Sequence, residues 1–552
     1  MRKFSNKVVL LVISTILAGA FLAFNTPSDK YFEITKNLDI FATLYKEVNT
    51  YYVDEIDPNQ LIKTGINAML ESLDPYTNYI PEDDIEDYRT MTTGQYGGIG
   101  ALIGTRNGKN MIIMPYEGFP AHDVGLKIGD EIIAVDGIDV KDKEYTDISK
   151  LLRGQANSKL SIDVRRYGTP DLIQVEMTRE KITIDNVQYY GMVEDGIGYI
   201  KLTDFTTNAG KEVKNALIEL KEQGATKLIL DLRGNPGGLL NEAVNVSNIF
   251  IHKGAEVVST RGKMTDWNKT YKALNPPVDT EMPLVILISS NSASASEIVA
   301  GVVQDYDRGV LVGQKTFGKG LVQATRPLTY NSQLKVTTAK YYIPSGRCIQ
   351  AIDYSHRNED GSVGKVPDSL KVSFKTKNNR TVYDGGGVDP DVEVELEFLA
   401  PIAASLVNKG LIYDYATEYY YSHPTIASSR EFRLTDAEYQ EFVVWLKDKD
   451  YDYTTRVENS IDELISMAKK EKNYEDIDDQ IQSLRVKVQH NKESDLQNFK
   501  SDLKQILEEE ISSRYYLRKG IVETSFNSDK SIRSAVEVLK DNDRYNQIMQ
   551  GI

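Results

Sequence analysis

Residues 227–238 read KLILDLRGNPGG, an apolar run that passes directly into a glycine-rich loop. The segment Leu228–Leu232 has the composition of a buried strand, and a helical pattern follows Gly238 at once. Glycines at the start of a helix leave backbone N–H groups exposed, and an oxyanion can bind there. The stretch therefore predicts a βα unit whose loop is either an oxyanion-binding loop or an ordinary strand-to-helix turn.

Strands and helices alternate on both sides of this unit, from about residue 183 to residue 396. The pattern gives a strand over Gly198–Leu202, a helix that ends at Gly224, a buried strand over Leu284–Ile288 and a helix after Ser294. Such alternation is typical of an α/β core. We expect this core to occupy residues 183–396.

Two smaller regions precede the core. Apolar residues recur at helical spacing from Ile34 to Val53, and Asp57-Pro58 opens a second helix, which predicts a helical N-terminal module over residues 30–93. Residues 94–182 instead carry short β-like runs such as Met111–Met114 and Leu160–Val164, separated by glycine-bearing turns. They predict one small β-rich domain.

The chain becomes acidic and helical after the core, over residues 397–552. Thr435-x-x-Glu438 and Ser460-x-x-Glu463 have the form of capping boxes, which begin helices. The fold class that follows is multidomain α/β, with a helical module, a β-rich domain, an α/β core and a helical extension in that order.

Composition excludes several classes of function. The chain has 552 residues, a formal net charge of −16, one cysteine and five histidines. Nucleic-acid partners are disfavoured because they require clustered cationic side chains. A lone Cys348 forms no intrachain disulfide and no all-cysteine metal site, so no cofactor is implied.

The first 25 residues predict an export signal. Arg2, Lys3 and Lys7 precede the uncharged apolar run Val8–Phe24, and Ala18–Ala20 offers small residues for cleavage. Basic residues before such a run keep the N-terminus in the cytoplasm, so the rest of the chain is expected in the cell envelope, on the periplasmic side. The segment is either a signal peptide or an inner-membrane anchor.

A serine and a lysine stand out in the core. Residues 291–298 read NSASASEI after a buried strand, although serine and glutamate there are also ordinary helix caps. Residues 316–323 read TFGKGLVQ, with Lys319 between two glycines in an apolar stretch. Burial lowers the pKa of a lysine, and a neutral amine can then act as the general base that activates a serine.

Nucleotide binding and Ser-His-Asp hydrolysis each lack residues that they require. Gly313-x-x-x-x-Gly318-Lys319 imitates a phosphate-binding loop, but Gly320 stands where that loop needs a magnesium-binding hydroxyl. No histidine lies in a catalytic-looking context and no Gly-x-Ser-x-Gly elbow is present, so a Ser-His-Asp hydrolase is unsupported.

The β-rich region resembles a PDZ domain. Residues 125–137 match the PDZ signature, and residues 96–102, YGGIGAL, match its carboxylate-binding loop. Glycines let backbone N–H groups converge on a terminal carboxylate while a strand edge pairs with the peptide. The alternative is a structural β-domain with an unused groove.

Together these motifs give the chain a resemblance to the carboxyl-terminal processing peptidases, the tail-specific family of serine peptidases. The similarity runs from about Phe41 to Val394 and includes Leu73–Tyr76, Tyr342–Arg347 and Gly387–Asp391 in the family's order. It implies a PDZ domain placed before a crotonase-like protease core, and endopeptidase activity near protein C-termini. The helical extension reaches beyond this similarity.

The resemblance also implies roles for individual residues. Ser294 would be the nucleophile that forms an acyl-enzyme, Lys319 its general base, and Gln323 the side chain that orients the lysine. Ser292 and Ser296 are then turn and cap residues. The remaining implied residues are the oxyanion-hole donors Ala295 with Gly237 or Gly238, and the peptide-binding residues Gly97, Gly98, Ile99, Gly100, Ala101 and Arg153.

Two rival functions stay open at this point. A non-catalytic envelope protein could hold polypeptide C-termini on the same scaffold, although such proteins usually lose the nucleophile or the base. An acyl-CoA hydratase-like enzyme on the related core leaves the PDZ segment unexplained. The expected partners are polypeptides with free, apolar C-termini, and the sequence leaves open whether the chain forms a homo-oligomer.

Overall fold

A computed structural model of the chain describes residues 28–358, 360–488 and 492–551. The predicted signal or anchor segment at residues 1–25 lies outside the described residues. Within the described ranges, no helix combines the length and the apolar composition that a bilayer crossing requires.

Among the described residues, one compact unit comprises residues 28–79 together with residues 334–336. It contains the two predicted helices, α1 (Ser28–Tyr51) and α2 (Pro58–Glu71), and the short strand β1 (Asn78–Ile80) follows in the chain. Asp57 caps α2 by accepting from the N–H of Asn59 at 2.8 Å, as its place before Pro58 suggests. Buried Asp74 then accepts from the N–H of Thr77 at 2.9 Å and closes a turn.

The second unit comprises residues 80–333 and 337–552. It opens with α3 (Ile85–Thr93) and then forms the predicted β-rich domain around a sheet of order β3-β4-β5-β7-β8, with β6 beside β5 and a separate β2–β9 pair. Apolar residues on alternate positions of these strands pack on one another, among them Ile112, Ile132 and Ile162. The elements are β2 (Gln95–Gly98), β3 (Ala101–Arg106), β4 (Lys109–Pro115), α4 (Pro120–Asp123), β5 (Glu131–Val135), β6 (Ile138–Asp139), α5 (Tyr145–Leu152), β7 (Lys159–Arg165), β8 (Ile173–Thr178) and β9 (Glu180–Thr183).

The α/β core is built on a sheet of order β10-β11-β12-β15-β16-β23. Only β10 runs antiparallel to its neighbour, and the other pairs are parallel. The predicted strand Leu284–Ile288 is buried at every position because helices cover the sheet on both faces. The elements are β10 (Val187–Glu194), β11 (Ile197–Leu202), α6 (Ala209–Glu222), β12 (Lys227–Asp231), α7 (Leu240–Phe250), β15 (Leu284–Ile288), α8 (Ala295–Asp305), β16 (Val310–Gly313) and β23 (Val392–Glu393).

Further strands lie between strands of the core sheet along the chain. A second sheet joins β17, β18, β13 and β14, and two hairpins pair β19 with β20 and β21 with β22. Their bounds are β13 (Glu256–Gly262), β14 (Lys269–Lys272), β17 (Leu321–Pro327), β18 (Gln333–Tyr342), β19 (Ile352–Arg357), β20 (Val363–Lys365), β21 (Ser373–Lys375) and β22 (Thr381–Tyr383).

The C-terminal region is helical, as predicted. Thr435 and Glu438 form the expected capping box, but the prediction of a second box at Ser460 and Glu463 is wrong. The same pattern occurs five residues earlier, and Thr455 with Glu458 begins that helix, so Ser460 lies inside it. The helices are α9 (Pro401–Asn408), α10 (Leu411–Ser422), α11 (Asp436–Trp445), α12 (Arg456–Glu471), α13 (Tyr474–Val488), α14 (Lys492–Asn498), α15 (Lys500–Ser525), α16 (Lys530–Lys540) and α17 (Asn542–Gln550).

This helical region packs on both preceding parts of the second unit. The hydroxyl of Tyr413 on α10 donates to the carbonyl of Ile112 on β4 at 3.0 Å. On the other side, α16 covers one face of the core sheet, where Ile532 and Val538 join a buried cluster with Val285 and Leu287 of β15. The helical region is therefore part of the packed structure that surrounds the core.

Candidate active site

The loops that follow β11, β12 and β15 lie at one edge of the core sheet, because the carboxyl ends of parallel strands share an edge. The loop after β12 contains residues 233–238, and the loop after β15 contains residues 289–294. The two loops touch: the N–H of Ala293 donates to the carbonyl of Asn235 at 3.0 Å. The predicted nucleophile and the predicted oxyanion loop are thus brought together.

Asn235 fixes the shape of its loop. It is fully buried, its Nδ2 donates to the carbonyl of Leu202 at 2.9 Å, and its Oδ1 accepts from the N–H of Gly237 at 2.8 Å. Its carbonyl also accepts from the hydroxyl of Ser296 at 3.0 Å. The loop after β12 is therefore anchored to β11 and to the start of α8.

Gly237 packs closely against the serine loop. It has a φ of +98°, and a Cβ atom at this position would stand 2.6 Å from the carbonyl of Ala293 and 2.8 Å from the N–H nitrogen of Ala295. A side chain would separate the loops, so the glycine is required by contact as well as by conformation. The backbone N–H of Ala295 lies beside this loop as a result.

Ser294 has an unusual backbone. Its φ of +56° and ψ of −111° lie outside the regions that residues with a side chain prefer, directly before α8. Strain of this kind persists only where the surroundings hold it, and it is concentrated at functional sites. The two neighbouring serines are instead bonded into the fold, since Ser292 donates to the carbonyl of Leu232 at 2.8 Å and Ser296 bonds to Asn235.

Glu297 connects the serine loop to the lysine turn. Its Oε2 accepts from the N–H of Ser294 and from the N–H of Lys319, each at 2.8 Å. Its Oε1 accepts from the hydroxyl of Thr316 at 2.6 Å and from the N–H of Gly318 at 2.7 Å. One fully buried carboxylate therefore holds the main chains of both predicted catalytic residues.

The protonation of Glu297 reflects two opposed effects. Burial raises the pKa of this carboxyl above its ordinary value, while the hydrogen bonds from Thr316, Lys319, Ser294 and Gly318 lower it in part. A buried acceptor with four donors is costly to remove, because each donor would lose its partner.

Tyr341 holds the same two residues from the other side. Its hydroxyl lies 3.1 Å from the carbonyl oxygen of Ser294 and also contacts the carbonyl oxygen of Lys319. The tyrosine is buried at the end of β18. Ser294 and Lys319 are thus held at their N–H groups by Glu297 and at their carbonyl groups by Tyr341.

Gln323, the third predicted member, lies on β17 four residues after Lys319. Its Nε2 donates to the hydroxyl of Thr337 on β18 at 3.2 Å. The contact fixes the amide group on the sheet that follows the lysine turn.

Three of the six predicted peptide-binding residues line a groove in the β-rich domain, and the three glycines lie beside it in the chain. A cavity of about 190 Å³ lies between the first half of β3 and helix α5, and its lining includes Ile99, Ala101 and Arg153. Gly97 and Gly98 lie on β2, where they pair with β9. Gly100, with φ +71°, turns the chain against Phe119.

Arg153 lies at the mouth of this groove. Its guanidinium bonds to Asp87 of α3 at 2.5 Å and lies over the ring of Tyr96 at 5.2 Å. Burial raises the pKa of the Tyr96 hydroxyl far above its ordinary value.

Three residues of the site were missed by sequence reasoning. Asn235 and Glu297 were within the quoted motifs, but Glu297 was interpreted only as a helix cap, and Tyr341 was not singled out. A cap predicts a local contact, whereas the bond from Lys319 to Glu297 spans 22 positions in the sequence.

Comparisons with known proteins match three parts of the chain to known families. A model described as peptidase family S41 matches residues 196–356, a PDZ domain model matches residues 114–166, and a model described as "Probable PDZ-protease, C-terminal helical domain" matches residues 402–539. A carboxy-terminal-processing protease of Bartonella bacilliformis is 36% identical over 348 residues, which cover 62% of this chain and 79% of the relative. A probable CtpA-like serine protease of Staphylococcus aureus is 34% identical over 395 residues, covering 68% and 77%.

Solved structures include similar proteins. The photosystem II D1 C-terminal processing protease is 28% identical, with a TM-score of 0.34, and the match covers 65% of this chain and 93% of that one. The PDZ domain of a carboxy-terminal protease of Vibrio cholerae, solved with a peptide, is 29% identical, with a TM-score of 0.16 over 16% of this chain and 99% of that one.

Fold, domain order and relatives together define a serine peptidase that carries a PDZ domain and a C-terminal helical domain. The chain belongs to the carboxy-terminal-processing proteases of peptidase family S41. The predicted family and fold class are therefore confirmed.

Proposed function

We propose that this protein is a serine endopeptidase that docks the C-terminus of a polypeptide in its PDZ groove and cleaves near that end, with Ser294 as nucleophile and Lys319 as general base. The observation that carries the proposal is the carboxylate of Glu297, which accepts from the N–H groups of both residues at 2.8 Å. A nucleophile and its base must be held in a fixed relation, and this shared contact holds their main chains.

The proposed reaction passes through an acyl-enzyme on Ser294. The neutral amine of Lys319 takes the proton of the Ser294 hydroxyl while the oxygen attacks the scissile carbonyl carbon, and the amide C–N bond breaks as the leaving amine takes up a proton. Water then attacks the acyl-enzyme ester, which releases the shortened chain and restores the serine. Gln323, four residues after the base, orients the lysine without adding charge.

Two backbone donors are available for the oxyanion. Ala295 is the first residue of α8, and its N–H group lies beside the loop of residues 233–238. Between the two glycines, Gly238 is the better second donor, because the N–H of Gly237 already donates to Asn235. Preorganised N–H groups of this kind stabilise the developing negative charge.

Docking uses the groove of the β-rich domain. Backbone N–H groups near Ile99, Gly100 and Ala101 take the terminal carboxylate, and the apolar wall of the cavity takes the last side chains. Gly97 and Gly98 shape the loop through their pairing with β9, and Arg153 lies at the groove mouth.

Location in the cell envelope is part of the proposal. It is supported by Arg2, Lys3 and Lys7 before the apolar run Val8–Phe24. The enzyme would then act on exported polypeptides from the periplasmic side, with its N-terminal segment cleaved or retained as an anchor.

The test uses the full chain and an unstructured protein that ends in apolar residues. Wild type should cleave it near the C-terminus, and Ser294→Ala and Lys319→Ala should each abolish cleavage while binding of the tail persists. The rate should rise with pH as the amine loses its proton, and histidine reagents should have little effect. Cleavage that survives in both variants would exclude the dyad, and tail binding without cleavage by wild type would favour the non-catalytic binding protein.

A further inference from the structure

The loop that carries Gly237 and Gly238 begins at an arginine placed between two carboxylates. Arg233 donates from Nε and Nη2 to Asp231 at the end of β12, at 3.0 and 2.7 Å. Its Nη1 donates to both oxygens of Asp529, at 2.9 and 2.7 Å. A planar guanidinium that is bonded on two sides has little freedom to rotate.

Asp529 belongs to the C-terminal helical domain. It is the N-cap of α16, where its Oδ1 also accepts from the N–H of Ile532 at 3.0 Å. Helix α16 is packed on the face of the core sheet, so the carboxylate is held in place by the helix it caps. A residue 296 positions away thus holds one end of the guanidinium, while Asp231 holds the other.

The electrostatics favour both contacts. Burial alone would raise the pKa of Asp231, but the charge and hydrogen bonds of Arg233, together with Lys201 and Tyr199, hold that pKa below its ordinary value. Tyr199 also donates to Asp231 at 2.6 Å. Arg233 and Asp529 line a cavity of about 360 Å³ together with Lys201 and Glu509.

Short links lead from Arg233 to the reacting residues. The N–H of Gly234 donates to the hydroxyl of Ser289 at 3.1 Å. Asn235, two residues after the arginine, accepts from Ala293, which immediately precedes Ser294. Movement of the arginine would therefore displace the loop that contains Gly238.

We propose that Asp529 is a positioning residue for catalysis: through Arg233 it lets the C-terminal helical domain hold the oxyanion loop in its active geometry. The inference rests on the proposed function, since it assigns a role in the same site. Asp529 does not touch substrate. Its effect should fall on the catalytic step, because oxyanion donors act on the transition state more than on bound substrate.

The experiment compares Asp529→Asn with Asp541→Asn in the full chain. Asparagine keeps the cap of α16 but loses the charge that Arg233 binds. Asp541 caps α17 in the same domain by accepting from the N–H of Arg544 at 2.9 Å, so it is a matched control. We expect kcat to fall about tenfold or more in Asp529→Asn, with KM and tail affinity unchanged, and all values unchanged in Asp541→Asn.

Two further measurements separate positioning from general stability. Asp529→Glu keeps a carboxylate and should recover part of the lost rate. The double variant Arg233→Met with Asp529→Asn should be no slower than Arg233→Met alone, since Asp529 acts through the arginine. Hydrogen exchange of residues 233–238 should rise in Asp529→Asn and not in Asp541→Asn.

The outcomes are distinguishable. A wild-type kcat in Asp529→Asn would overturn the inference. Equal losses of kcat and tail affinity in Asp529→Asn and Asp541→Asn would also overturn it. So would additive losses of kcat in the double variant of Arg233→Met with Asp529→Asn. A wild-type chain without Ser294-dependent hydrolysis would overturn the proposed function instead. In that case unchanged hydrogen exchange of the loop in Asp529→Asn would still count against the link to Arg233.

Discussion

A Cβ atom on Gly237 would stand 2.8 Å from the Cβ of Ser294, closer than such atoms approach in folded proteins. The relation explains why the loop after β12 needs a glycine at its point of contact with the serine loop. It also shows that backbone packing limits how closely Gly237 can approach the serine loop.

Gly237→Ala should therefore impair catalysis more than folding. The added methyl must push the two loops apart, and displacements of about 1 Å at a reacting centre can cost about a hundredfold in rate. Gly234→Ala is the matched control, because Gly234 has φ +72° and open space within 4 Å of an added Cβ. We expect kcat/KM to fall about a hundredfold in Gly237→Ala and less than tenfold in Gly234→Ala. Equal losses would assign the effect to backbone strain alone.

Glu297→Gln tests the shared acceptor of the serine and lysine segments. The amide nitrogen would face N–H donors, so at least one buried hydrogen bond is replaced by a repulsive contact. We expect kcat to fall at least tenfold and unfolding to become easier by about 2–3 kcal/mol. Glu458→Gln is the control, because Glu458 holds the same place in a capping box remote from the site and accepts from Thr455 at 2.7 Å. An unchanged kcat in Glu297→Gln would mean that the shared contact has no catalytic role.

Substrate selection should depend on a free terminal carboxylate. Amidation replaces an acceptor with a donor, and a hydrogen bond to a charged group contributes about 1.5–3 kcal/mol, so docking should weaken about ten- to a hundredfold. Measuring kcat/KM for one protein with free and amidated termini checks this prediction. Equal values would make the PDZ domain a structural brace.

A bulky residue at Gly100 should reproduce the effect of amidation. A Cβ there would stand 2.4 Å from the Cβ of Phe119, so Gly100→Val must distort the loop. Gly108→Val is the control, since Gly108 has a nearly equal φ of +72° and nothing within 4 Å of an added Cβ. Gly100→Val should lose tail affinity, measured by fluorescence anisotropy, while still cleaving short peptides. Loss of affinity in both variants would contradict the role of this loop.

Asp279 should contribute to stability in a pH-dependent way. Burial alone would raise its pKa, but bonds from Lys221 and from the N–H groups of Met282 and Glu281 lower that pKa to about 2. The pKa of an unfolded aspartate is about 3.9. The contribution of Asp279 to the stability of the fold is therefore complete above about pH 4 and is lost as the pH falls toward about 2. Wild type should therefore lose stability to urea more steeply than Asp279→Asn between pH 5 and pH 2.5. Stability curves of wild type and Asp279→Asn that run parallel with pH would contradict the assignment to Asp279. So would the same loss of pH dependence in the control variant Glu281→Gln.

The strands of the core were predictable because their burial is complete. Leu284–Ile288 is apolar at every position, and the glycine loop after β12 marks the sheet edge where ligands bind. Ser294 and Gly237 lie in loops that follow parallel strands, so the sequence places both residues at that edge. The family resemblance added the choice among three serines, which the pattern alone left open.

Long-range contacts were not predictable from local patterns. Glu297 has the sequence context of a simple cap, yet it accepts from Lys319, and Asp529 caps its own helix while it binds Arg233. Overlapping patterns also mislead: Thr455 and Ser460 both precede a glutamate by three residues, and packing selects the first. Such side chains serve a local and a distant partner together, and only tertiary structure shows the distant one.

The packing of α16 on the core sheet has a consequence for how the protein is made. Ile532 and Val538 cover Val285 and Leu287, which are synthesised nearly 250 residues earlier. A chain still emerging from a ribosome therefore exposes this apolar sheet face until α16 has been synthesised. This face of the core sheet is therefore buried only after residues 530–540 have been made, so its folding depends on a segment about 250 residues further along the chain.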